Sequence, residues 1–201
     1  MAALLVLTAC GPSGQRYLAN RDEKVYLRVP TSWHDVLLSE SIPDSLLQAT
    51  SDAKVLSKSV VTPQEGAVNQ LDLDGESPIV TMTVYETTGA FNQQLSPSLA
   101  RKAGWVTFDP AIPPTESKDL ADVIAFDPRP TNAESNLSGS RVVYRYRTEA
   151  TADWRLIINF STFVDPAASR LYALEVVCST KCYEAAEPQI DKLVNSWRIG
   201  Q

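Results

Sequence analysis

One histidine, three cysteines and a few clustered carboxylates and arginines are the residues of this 201-residue chain whose types and spacing could do chemistry. His34 stands between Trp33 and Asp35. A neighbouring carboxylate could orient its imidazole, but no serine lies in a Gly-x-Ser-x-Gly elbow. A surface or turn histidine is therefore expected rather than a catalytic base. Asp72, Asp74 and Glu76 alternate as ligands of one cation would. A third short-spaced ligand and a glutamate at the twelfth position are both missing, so the segment reads as a solvated turn and no metal is expected. No glycine-rich phosphate loop is present and no pair of carboxylates stands out, so no cofactor and no catalytic residue is expected. Arg141, Arg145 and Arg147 form a positive stripe that could receive an anionic head group, a polysaccharide or an acidic partner. The plainer alternative is an exposed sheet face whose arginines pair with nearby Asp and Glu.

Cys10 offers different chemistry. Residues Ala2 to Ala9 form an apolar stretch ending in Leu7-Thr8-Ala9-Cys10, which resembles the bacterial lipobox: an aliphatic residue, two small residues, then the cysteine whose thiol takes up diacylglycerol. Small side chains at Thr8 and Ala9 let the chain enter a signal peptidase cleft extended. Gly11-Pro12-Ser13-Gly14-Gln15 then reads as a flexible tether. Each buried methylene contributes about 0.8 kcal/mol, and two acyl chains hold stably where one is marginal. The expectation is a signal peptide over residues 1–9, a lipidated cysteine with its tether over 10–22, and a globular domain over 23–201. The signal reads as truncated, because no Lys or Arg precedes its short apolar run. The protein is thus expected to be exported and lipid-anchored to the outer face of the cell membrane. The alternative, an apolar first strand carrying a buried free cysteine, continues poorly into Gly, Pro and Ser.

In an oxidising exterior the remaining pair, Cys178 and Cys182, reads as a disulfide. Residues four apart in a helical turn or tight bend bring their Cα atoms within the roughly 4.4–6.8 Å a bridge requires. Such a bridge would pin the turn between a strand and the final helix. The spacing is not Cys-x-x-Cys, which disfavours redox catalysis, and a zinc site would need two more ligands from a chain with one histidine.

With 44% hydrophobic and 21% charged residues the chain can bury a core as one globular domain. A formal net charge of −6 argues against a nucleic-acid partner, and the one long apolar run falls well short of the roughly 20 residues that span a bilayer. Lys24 to Val29 reads as a first strand stopped by Pro30. Pro43-Asp44 could open a short helix and Val55 to Val61 could be a strand. Ile79 to Thr87 alternates, with Val80, Met82 and Val84 opposite Thr81, Thr83 and Tyr85, as in a half-buried strand. Ser96-Pro97 starts a short helix that Gly104 stops. Val106 to Phe108 and Val123 to Phe126 are short apolar pieces, and Pro128 to Ser140 reads as a polar loop. In Arg141 to Arg147 the apolar positions Val142, Tyr144 and Tyr146 oppose Arg141, Val143, Arg145 and Arg147. Trp154, Leu156, Ile158 and Phe160 form the inward set of a second strand, and Tyr172, Leu174, Val176 and Cys178 that of a third. Asp165 to Ser169 is short enough for a hairpin turn, so these strands are expected to be antiparallel neighbours. Ile190, Leu193, Val194 and Trp197 fall on one side of a helix opened by Pro188.

Tyr26-Leu27-Arg28-Val29-Pro30-Thr31-Ser32-Trp33 near the start and Leu193-Val194-Asn195-Ser196-Trp197-Arg198-Ile199 at the end resemble the PsbP-like fold, and within it the exported lipoproteins of high-GC Gram-positive bacteria. The resemblance runs from about Val25 to Ile199. It implies an α+β domain, an α/β/α sandwich around a central mainly antiparallel sheet with a C-terminal amphipathic helix packed on it. It supplies no catalytic residue, since members of this fold are mostly accessory, assembly or binding proteins. A noncatalytic envelope module that binds an envelope protein or component is therefore the leading expectation. A carrier of lipid or another small molecule would instead show a closed cavity of roughly 300 Å³ or more, and a hydrolase with an unrecognised site would show ionisable groups converging in a cleft.

Overall fold

The computed structural model describes residues 14–40, 53–66, 68–69, 75–88, 100, 121–128, 137–146 and 155–200. Its centre is a seven-stranded sheet in the order β3-β5-β7-β11-β10-β9-β8. The strands are β3 (His34–Asp35), β5 (Ala53–Thr62), β7 (Ile79–Thr87), β8 (Ala121–Asp127), β9 (Ser138–Tyr146), β10 (Leu156–Val164) and β11 (Arg170–Ser179). Every neighbouring pair is antiparallel. A second sheet pairs β1 (Gln15–Asn20) with β2 (Val25–Pro30), and β2 with β12 (Arg198–Ile199). The short strands β4 (Leu38–Glu40) and β6 (Val68–Asn69) pair in parallel. Among the described residues one long helix, α1 (Thr180–Ser196), runs from the end of β11 to β12.

The central strands carry apolar side chains on both faces, and each face has its own core. Val80, Met82, Leu174 and Val176 meet Val25, Leu27 and Val29 of β2 and Ile190, Leu193, Val194 and Trp197 of α1 and its cap. On the opposite face Val142, Tyr144, Leu156, Ile158 and Phe160 form a second cluster that includes Ala100, a helical residue. This two-faced burial corrects the half-buried reading of β7, where Thr81 and Thr83 are buried along with Val80 and Met82. It also separates two sets expected to share one interior. Ile158 pairs with Val177 and Phe160 with Glu175, which puts the Leu156, Ile158 and Phe160 set on the face away from Leu174 and Val176. The hairpin over Asp165 to Ser169 is as expected. The Asp165 carboxylate accepts from the backbone N–H of Ser169 and Arg170, at 2.6 and 2.9 Å, while Arg170 reaches Glu23 and Glu86 and ties the β1–β2 turn to the main sheet.

Three boundaries differ from the sequence reading. The tether expected over residues 10–22 ends early, because Gln15–Asn20 is a strand paired along its length with β2. Its only buried apolar residue is Leu18, too little alternation to be legible. The strand expected first is accordingly the second. The expected loop over Pro128 to Ser140 gives way to strand by Ser138, the start of β9. Finally, α1 is not opened by Pro188, which lies inside it. Ser179 caps the helix instead, its Oγ accepting from the Cys182 N–H at 3.2 Å. Pro188 lies on the exposed side, where water can serve the carbonyl its missing N–H leaves unpaired. The expected helices near Pro43 and from Ser96, apart from Ala100, and the apolar piece Val106 to Phe108 lie outside the described residues.

Candidate functional site

α1 lies across the sheet with a cleft along each flank. Toward β8 and β9, a row of polar side chains runs beneath the helix. Arg141 on β9 donates from Nε to Asn159 Oδ1 at 2.9 Å and from a terminal guanidinium nitrogen to Asp191 Oδ1 at 2.5 Å. Asn159, on β10, is fully buried and donates from Nδ2 to the Tyr183 hydroxyl at 3.0 Å. Burial raises the Tyr183 pKa above the usual phenol value, opposed by the hydrogen bond from Asn159 and the charge of Arg141. Every member has a partner, so the row aligns α1 on the sheet and holds the floor of a surface cleft of about 360 Å³. The rim mixes signs and an apolar residue: Arg145 on β9, Glu184 and Glu187 on α1, and Ile124 on β8, which is 46% exposed.

Along its other flank, α1 faces the small sheet across a cleft of about 790 Å³. Alternation along β2 turns Val25, Leu27 and Val29 inward and Arg28 outward, and Ile199 and Arg198 divide in the same way on β12. Lys192 of α1 completes a lining that, among the described residues, has three cations and no carboxylate. The Arg28 guanidinium stands 5.7 Å from the ring centre of Tyr17, itself 62% exposed. Ser196 closes the floor, its Oγ accepting from the Arg28 N–H at 3.0 Å and donating to Leu193 O at 2.7 Å.

Cys178, at the end of β11, and Cys182, in the first turn of α1, lie at disulfide distance with Cα atoms 5.7 Å apart. The bridge would fasten the strand to the helix it feeds, as the spacing predicts. A loop this short constrains the unfolded chain by about 2 kcal/mol on the entropy model. His34 is exposed on β3, its Nε2 3.9 Å from a Glu65 carboxylate oxygen, while Asp35 pairs instead with Arg16 at 3.1 Å. Of the arginine stripe, Arg141 is engaged beneath α1, Arg145 is exposed and Arg147 lies outside the described residues. Arg141 thus pairs with a carboxylate as the plainer reading has it, but beneath α1 and not on an exposed sheet face. Cys10, Asp72 and Asp74 also lie outside the described residues, and Glu76 is exposed. Among the described residues no group of three or more His, Cys, Asp or Glu could hold a metal ion, and no helix is long and apolar enough to cross a membrane.

The sequence reading missed Asn159, Tyr183 and Asp191, which converge from β10 and α1, and Lys192 and Arg198, which join Arg28 only once the helix and small sheet pack. A lone asparagine inside the apolar run Leu156 to Phe160 was the one local signal of a buried polar contact.

No family model and no curated protein matches this chain. Its fold is similar to the solution structure of cyanobacterial PsbP (CyanoP) from Synechocystis sp. PCC 6803, with a TM-score of 0.51 over 96% of this chain and 98% of that one. The fold is PsbP-like. Identity is 10%, so the likeness concerns architecture, an α+β domain with a mostly antiparallel sheet and a C-terminal helix, and no side chain of either cleft is carried over from it.

Proposed function

We propose that this chain is a noncatalytic envelope lipoprotein, anchored by Cys10 to the outer face of the cell membrane, whose domain binds an envelope protein or component. The observation that supports the reading is how few residues separate Cys10 from the fold. Gly14 already accepts a backbone hydrogen bond from Thr31 at 3.0 Å, and four extended residues reach only about 14 Å. An acylated Cys10 would therefore hold the domain against the bilayer, among the other molecules of the envelope. The cysteine pair between β11 and α1 suits an oxidising exterior. The mixed cleft beside β8 supports binding over catalysis, because its most buried polar groups are spent on one another and its free groups are a rim of charges around Ile124.

Crosslinking in cells followed by affinity capture tests both halves of the proposal. The intact chain should fractionate with membranes and bring down one stoichiometric partner. Cys10→Ala should release a folded domain, and Ile124→Asp should abolish capture without releasing it. A Cys10→Ala chain that still sediments with membranes would refute the anchor, and capture unaffected by Ile124→Asp would refute the binding face.

A further inference from the structure

We infer that the cleft between α1 and the small sheet receives the phosphate head groups of anionic phospholipids and sets the face the domain turns to the membrane. Three observations converge there. The first is charge: Arg28, Lys192 and Arg198 are exposed around a cleft of about 790 Å³ that has no acidic lining residue among the described residues, on a chain of formal net charge −6. Among the described residues no carboxylate pairs with any of the three. Arg28 stacks on Tyr17, and Arg198 donates to the carbonyls of Asn195 and Trp197. The second is segregation. Glu184, Glu187 and Asp191 line the opposite flank of α1, so these carboxylates of the helix stand away from the basic cleft.

The third is position. Gly14 and Gln15 are themselves lining residues of the basic cleft, so the chain leaves the domain at its mouth, four residues after Cys10. A domain with net negative charge, held within about 14 Å of an anionic surface, is repelled by that surface over a Debye length of about 8 Å. The repulsion falls when the basic cleft turns inward. That face also presents Tyr17, and Tyr26 beside Arg198 across the β2–β12 pairing, and tyrosine suits the head-group layer because its ring is apolar and its hydroxyl polar. The orientation in cells rests on the proposed anchoring by Cys10, whereas the affinity of the cleft for anionic lipid does not.

Co-sedimentation of the full-length Cys10→Ser chain with phosphatidylcholine vesicles, with and without phosphatidylglycerol, isolates the cleft. Any partitioning by the apolar leader is common to both vesicles, so the ratio is the readout. Each cation near an anionic surface is worth about fivefold in affinity, so the three should give a preference on the order of a hundredfold at low salt, lost as salt is raised. Lys192→Gln and Arg28→Gln should each lower the ratio about fivefold, while Lys58→Gln, an exposed lysine on β5, should lower it far less. Equal binding to both vesicles would overturn the inference. So would a loss with Lys58→Gln as large as with Lys192→Gln, which would show that net charge alone is responsible. The intact mass of native material reports acylation of Cys10 separately, so failure of the anchor and failure of the cleft remain distinguishable.

Discussion

Replacing Arg141 with Met asks where the energy of the polar row beneath α1 resides. Two contacts are lost. The ion pair to Asp191 is short, but the Asp191 side chain is 45% exposed, and pairs screened to that degree contribute about 0.2–1 kcal/mol. The bond to Asn159 Oδ1 is different, because Asn159 is fully buried and an orphaned buried acceptor costs about 1–3 kcal/mol. Met keeps much of the aliphatic stem, which lines the cleft with Val143, so little apolar burial is lost. Arg141→Met should therefore cost about 1–4 kcal/mol, and Asp191→Ala under about 1 kcal/mol. In an Asn159→Leu background, where no buried amide remains to be orphaned, the cost of Arg141→Met should fall to about 1 kcal/mol or less. Urea denaturation followed by tryptophan fluorescence reads these differences as midpoint shifts at constant m. An Asp191→Ala chain destabilised as much as Arg141→Met, or a cost of Arg141→Met unchanged in the Asn159→Leu background, would refute the assignment to the buried amide.

Gly139→Ala should destabilise the fold by about 1–3 kcal/mol, because a Cβ there would stand 2.2 Å from the Thr162 backbone oxygen and 2.4 Å from the Phe163 ring. The near-UV dichroism of Trp197, which packs edge-on to Phe163 at 5.3 Å, should change with it, and a stability within about 0.5 kcal/mol of wild type would show that β9 and β10 have room. Burial raises the pKa of both Tyr183 and Tyr172 above the usual phenol value. The folded state therefore holds these protons where the unfolded chain, with a phenol pKa of about 10, releases them. Their contribution is complete below pH about 10 and is lost as pH rises through the folded values. Stability should fall in that alkaline window, less steeply in Tyr183→Phe even though that variant starts lower for want of the Asn159 bond. An unchanged slope would refute the linkage.

What the sequence made legible follows from how locally each feature is specified. β9, β10 and β11 were readable because alternating side chains of one strand suffice to define it, and Asp165 to Ser169 because a short polar link between strands admits few geometries. The cysteine spacing needed only a strand-to-helix turn to bring Cα atoms to 5.7 Å. Strand β1 was not readable, since it is held by pairing to β2 and by Arg16, which donates to Trp33 O at 3.0 Å, and these are partners supplied by other segments. The division of the interior into two cores was hidden for a related reason. Period-two alternation tells which residues of a strand share a face but not which faces of two strands coincide, and pairing Ile158 with Val177 fixed that.

The misplaced start of α1 and the missed clefts have one cause. Pro188 resembles a helix opener, and a helix begun there has no place for Glu184, Ala185 or Glu187. Capped by Ser179 and fastened beside Cys178, the helix instead begins two turns earlier. Those two turns add Glu184 and Glu187 to the flank of Asp191, at i, i+3 and i+7, and Ala185 to the flank of Gln189, Lys192 and Ser196. The acidic flank meets the arginines of β9 and the basic flank meets those of β2 and β12. Charge segregation along this helix is thus a property of its phase, which a cap one residue past the last strand core residue, Cys178, sets more firmly than a proline in the middle can break. Both clefts owe their chemistry to that phase, so a variant that weakens the Ser179 cap should disturb the two together, whereas Lys192→Gln and Ile124→Asp should each affect one.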